Sequence, residues 1–147
     1  MGQNKVITKS ESTTEGAETK APVGASKKSS KRQVVNGIAN ISVSYNNTII
    51  AIADTKGEVL AWSSSGTLGF KGTKKSTPYA ANLVAKNVVE KVRKYNLVNL
   101  KIVARGIGPG RESAIRGLAA SGLNITALMD KTPIAHNGVK PPKPRRV

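Results

Sequence analysis

The chain has 147 residues with 24 Lys+Arg against 8 Asp+Glu, and a formal net charge of +16 makes a compact state repel itself unless a polyanion neutralises it. That length allows one ordinary domain with a modest core, and without cysteine neither a disulfide nor a cysteine-based zinc site can form. No apolar run approaches a membrane span, and the N-terminus lacks the basic-then-apolar order of a secretion signal. Glu11, Glu15 and Glu18 argue against a transit peptide, so the expectation is a cytosolic-type protein.

The positive charge is spread along the chain: +4 over residues 1–36, +7 over 37–130 and +5 over 131–147. Residues 1–33 are rich in Ser, Thr, Lys and Gly and are expected to be a disordered N-terminal extension. From Ile38 the pattern alternates, with Ala39, Ile41, Val43 and Tyr45 on one side and Asn40, Ser42 and Ser44 on the other, as in a half-buried strand. Asn46 and Asn47 suit the left-handed conformations of a tight hairpin turn. Residues 48–53 and 58–64 read as two further strands around a turn at 54–57, completing an antiparallel meander.

A Gly-, Ser- and Lys-rich loop over 65–76 leads to Thr77 and Pro78, an N-cap followed by proline at the first helical position. Ala81, Val84, Val88, Val92 and Tyr95 recur at helical spacing. A strand over 98–105, a glycine loop over 106–110, a helix over 111–121 ended by Gly122, and a strand over 123–129 follow. The order β-β-β-α-β-α-β makes an α/β domain over 34–130 with a mixed five-stranded sheet, expected to carry helices on both faces.

Residues 131–147 (KTPIAHNGVKPPKPRRV) hold five basic side chains, four prolines and no acid. Such a segment has no hydrophobic period and proline keeps it extended, which suits threading between polyanionic surfaces; a solvated solubility arm is the alternative. Within it, Asn137 and Gly138 make a tight-turn pair.

Two loops carry the candidate chemistry. In the first, GIGPGRES (106–113), glycines meet a helix N-terminus between Arg105 and Arg111, a place where phosphate can approach backbone N–H groups. It lacks the dinucleotide fingerprint, since Arg111 stands where a third glycine is required, and a plain strand-to-helix turn is the alternative. In the second, GTLGFKGTKKS (66–76), Lys71, Lys74 and Lys75 sit on a hydroxyl-rich backbone. Phe70, the chain's one phenylalanine, either stacks on an unpaired base or folds back onto the domain.

Catalysis finds little support. This element order is also that of ribonuclease-H-like nucleases, which need clustered carboxylates for two metal ions. The first and fourth strands contain no acid, and His136 is the one histidine, so neither a metal site, a cofactor nor a catalytic constellation is expected.

Four segments together resemble the universal small-subunit ribosomal protein eleven family in its bacterial form: NISVSYNNTIIAIAD (40–54), GFKGTKKSTPYAA (69–81), GPGRESAIR (108–116) and DKTPIAHNGVKPPKPRRV (130–147). The resemblance implies a three-layer, ribonuclease-H-like domain without nuclease activity. It also implies a place on the platform of the small ribosomal subunit, bridging helices of 16S-type ribosomal RNA beside the Shine-Dalgarno cleft. Small-subunit proteins seven and eighteen, initiation factor three and the messenger RNA would be its neighbours. Carried over by segment, ribosomal RNA contacts would fall on Lys71, Lys74, Lys75, Arg111, Arg116, His136, Asn137, Lys140, Lys143, Arg145 and Arg146, to which the loop position adds Arg105. Departures from the family pattern are Ile107 for a frequent proline, Asn40 for a frequent histidine and Pro144 for a usual basic residue.

Overall fold

The chain's computed structural model describes residues 33–140 together with 142–143. The expected disordered extension therefore lies outside the described residues except for Gln33, as do Pro141 and 144–147. Five strands form one sheet: β1 (Asn36–Val43), β2 (Thr48–Asp54), β3 (Val59–Ser64), β4 (Asn99–Arg105) and β5 (Asn124–Asp130). Two helices join them, α1 (Pro78–Val92) and α2 (Gly110–Ala119). The spatial order is β3-β2-β1-β4-β5, antiparallel across β3-β2-β1 and parallel across β1-β4-β5.

The mixed α/β sheet is as expected, but the arrangement has two layers and not three among the described residues. Both crossovers, β3 to β4 and β4 to β5, travel in the same direction across the sheet between parallel strands. Right-handed connections then place both helices on one face. The helices accordingly pack on each other: a Cβ on Gly117 of α2 would stand 2.9 Å from the Ala85 methyl of α1. Between them and the sheet lies one core, built on the α1 stripe Ala81, Val84, Val88 and Val92 and on Ile41, Ile50, Ile52, Leu100 and Ile102 of the strands.

Local chemistry fixes the joints. The Thr77 hydroxyl oxygen accepts the Ala80 N–H at 3.3 Å, capping α1 as its sequence predicts. At the other end Asn96, with φ 55°, turns the chain out of a short 3-10 turn over Arg93–Tyr95. The β1–β2 turn differs from the expected one, since neither Asn46 nor Asn47 adopts positive φ. Instead the Ser44 hydroxyl oxygen accepts the N–H groups of Asn46 and Asn47 at 3.3 and 3.1 Å, while the Ser44 N–H donates to the Asn47 carbonyl at 2.9 Å. Tyr45 consequently belongs to the turn, 72% exposed, and not to the strand.

Candidate nucleic-acid interface

Because β1, β3, β4 and β5 all run the same way, their carboxyl ends share one edge of the sheet. From that edge leave the lysine loop after β3, the glycine loop after β4 and the tail after β5. In open α/β sheets this is the edge where loops assemble sites. The lysine and glycine loops touch: a Cβ on Gly110 would lie 3.6 Å from the Ser76 carbonyl oxygen and 2.6 Å from the Thr48 hydroxyl oxygen. Four of the predicted contacts, Lys71, Lys74, Lys75 and Arg105, thus come to one edge from separate stretches of sequence.

The lysine loop closes in a 3-10 turn over Gly72–Ser76, tied by hydrogen bonds from the Ser76 hydroxyl to the Thr73 carbonyl (3.2 Å) and from the Thr77 hydroxyl to the Lys74 carbonyl (2.9 Å). Lys71 and Lys74 are exposed and Lys75 half-buried. Phe70 meets Tyr79 edge to face with centroids 6.3 Å apart, so of the two readings of this ring the structure takes the one folded onto the domain.

The glycine loop serves packing more than an anion. Gly106 has φ 92°, and a Cβ there would collide with the Val43 carbonyl oxygen; one on Gly108 would stand 2.6 Å from the Ser44 carbonyl oxygen. The close approach these glycines permit is to the end of β1.

Arg111 likewise has an internal partner. Its guanidinium meets the Asp130 carboxylate at 2.5 Å and donates to the Gly106 carbonyl at 3.0 Å and the Thr132 hydroxyl at 3.3 Å. The Thr132 hydroxyl also accepts the Gly106 N–H at 3.2 Å and donates to Asp130 at 2.7 Å, while the Thr132 N–H donates to the same carboxylate oxygen at 2.9 Å. The Thr132 hydroxyl and, next, Arg111 hold the Asp130 carboxyl down from its ordinary 3.8 to about 2. One polar knot therefore pins the start of the tail to the glycine loop. Sequence reasoning missed Thr132, although an Asp two residues before a Thr is a recognisable turn-forming pair.

The remaining predicted contacts are dispersed. Arg116 lies two helical turns along α2 from that edge, 80% exposed and paired with Glu112 at 3.2 Å, in the groove between α1 and α2. His136, Asn137, Lys140 and Lys143 are exposed along a tail without regular structure, in which Asn137 (φ 54°) makes the expected turn. Arg145 and Arg146 lie outside the described residues. Among the described residues no group of three or more His, Asp or Glu is placed to hold a metal ion, and no helix is long and apolar enough to cross a membrane.

The sheet order and the basic loops at one edge define a class: a carboxylate-poor α/β domain built to sit against a polyanion. Comparison with known proteins makes the class particular. Residues 37–146 match the family described as Ribosomal protein S11, and the chain belongs to that family. It is similar to the small ribosomal subunit protein uS11 of Alteromonas mediterranea, 52% identical over 128 residues that cover 87% of this chain and 98% of the relative. The uS11 of Pseudoalteromonas atlantica is 51% identical over the same coverage. The chain is accordingly a structural, non-enzymatic constituent of the small ribosomal subunit, of bacterial type.

Proposed function

We propose that this protein sits on the platform of the small subunit and bridges separate helices of 16S-type ribosomal RNA, helping to form the cleft for the Shine-Dalgarno duplex. The observation that carries the reading is the convergence of Lys71, Lys74, Lys75 and Arg105 on the edge from which the tail departs, in segments that match the family. Loop and tail then offer phosphate contacts in two directions from one pinned point. Phosphate contacts fix register but carry little sequence information, so specificity comes from RNA shape and from neighbouring proteins. Those neighbours are small-subunit proteins seven and eighteen, with initiation factor three and the messenger RNA close by, in a cytoplasmic ribosome. Lys71, Lys74 and Lys75 serve one RNA helix; His136, Asn137, Lys140, Lys143, Arg145 and Arg146 serve another; Arg116 reaches a third element from the helical face. Arg111 acts mainly through the tail that it holds.

Directed cleavage tests this. The chain has no cysteine, so Thr73→Cys in the lysine turn and Val139→Cys in the tail each give one attachment point for a hydroxyl-radical source. In subunits isolated through a high-salt sucrose gradient, the two probes are expected to cut different platform helices. Cuts confined to one helix, or to another region of the subunit, would overturn the bridging role. Release of the chain to the top of the gradient would overturn stable assembly itself.

A further inference from the structure

Among the described residues nothing covers the face of the sheet away from the helices. One row crosses all five strands in register, Trp62–Ala51–Asn40–Val103–Met129, and each of its members is exposed or half-buried. The neighbouring row on the helical side, Ala61–Ile52–Ala39–Ile102, is buried. Trp62, the chain's sole tryptophan, is 54% exposed at one end of the open row, where a core residue would be covered.

Three chemistries meet on this face. Trp62 offers a flat aromatic surface, with Ile49 (40% exposed) beside it on β2. Lys101 and Arg105 project from β4, and Lys131 joins Arg105 around a cavity of about 370 Å³ that also touches Asn40 and Ser42. At the far end a ladder of carboxamides runs across three strands: Asn99 donates to Asn36 at 2.9 Å and Asn124 donates to Asn99 at 3.0 Å. No acidic side chain occupies this face of any strand: Asp54 and Asp130 fall on the other set of alternating positions. Cations without acids select an anionic occupant, and an exposed aromatic plane selects one that has bases.

We infer that the open sheet face is a docking surface for single-stranded RNA, with an unpaired base on Trp62 and phosphates on Lys101, Arg105 and Lys131. This rests on the proposed RNA-binding role and adds a surface to it. Four inter-strand steps span about 19 Å, room for about two or three bases, the number an RNA-binding sheet of four strands stacks. A duplex would hide its bases and meet the face with its backbone alone.

The lone tryptophan makes the test direct. The full chain is titrated with a fluorescently labelled single strand of about 12 nucleotides and mixed sequence, following RNA anisotropy and acrylamide quenching of Trp62 together. The expected result is that Trp62 becomes shielded in step with binding, and less so with the corresponding duplex. Trp62→Ala is expected to weaken single-strand binding roughly 5- to 150-fold, and Trp62→Phe far less. Binding that leaves Trp62 as accessible as before would overturn the inference while leaving the RNA-binding role intact, whereas loss of all RNA binding would remove both. Shielding by an acidic peptide but not by RNA would reassign the face to a protein and overturn the inference. So would a Trp62 already shielded in the free chain, because another part of the chain would then cover it.

Discussion

Arg111, at the start of α2, and Asp130, the last residue of β5, form an ion pair at 2.5 Å across the carboxyl edge of the sheet. The pair joins the only two described strand exits that lead toward the glycine loop and the tail, and Thr132 completes it by bonding to Gly106. Ordering the first residues of a basic tail before it meets RNA lowers the entropy that binding must later oppose. Asp130→Asn should therefore loosen the tail without unfolding the domain. Hydrogen exchange at the Gly106 and Thr132 amides is expected to accelerate, with the urea midpoint nearly unchanged. Equal exchange in both proteins would mean that the knot does not hold the tail.

The same knot predicts a pH response. The Asp130 carboxyl is lowered from 3.8 to about 2, with the Thr132 hydroxyl as the largest cause and Arg111 after it. A carboxylate with a depressed folded-state pKa contributes stability that is fully present above its ordinary value and fades as pH falls from 3.8 toward 2. The tail should thus come loose locally in that window while staying fixed at neutral pH. A carboxyl titration followed by nuclear magnetic resonance checks it. Thr132→Val and Arg111→Ala should each raise the Asp130 midpoint toward 3.8; a midpoint that either variant leaves unchanged would refute that contact as a cause.

Glycine at position 106 is a packing requirement. Alanine there would combine a left-handed φ of 92° with a methyl driven into the Val43 carbonyl oxygen. Gly57 has nearly the same φ, 91°, but open space around it. Gly57→Ala should accordingly destabilise by about 1 kcal/mol and Gly106→Ala by about 3 kcal/mol or more, measured by urea unfolding. Similar values for the two would show that the loop shifts freely away from β1.

Much of this architecture is legible in the sequence because it is local. Thr77 and Pro78 announce α1, the turn at Gly57 separates β2 from β3, and the apolar spacing of Val84, Val88 and Val92 names the buried stripe. What escapes is non-local. Nothing near Arg111 reveals that its partner lies nineteen positions further on, at Asp130, so a cation placed by a glycine loop reads as free for phosphate. Phe70 reads either as a base platform or as a ring folded back, because its contact with Tyr79 lies nine positions away across the lysine turn. The side on which each helix lies depends on strand order, which periodicity does not encode. Once the order β3-β2-β1-β4-β5 is given, the handedness of crossovers decides it.

The predicted RNA contacts should not be equal in weight, and salt dependence separates them. Lys71 and Lys74 stand exposed on the lysine turn with Lys75 half-buried behind them, whereas Arg116 already shares its charge with Glu112 at 3.2 Å. Each phosphate neutralised by a side chain releases counterion, so removing it reduces the slope of log affinity against log salt by about 1. The triple replacement of Lys71, Lys74 and Lys75 by Ala is expected to reduce that slope by about 2 to 3, and Arg116→Ala by less than about 1. Glu112→Gln, which frees Arg116, should move affinity upward at low salt. Were the triple variant to keep the parent slope while Arg116→Ala lost most of it, the helical face and not the strand-end edge would be the main RNA surface.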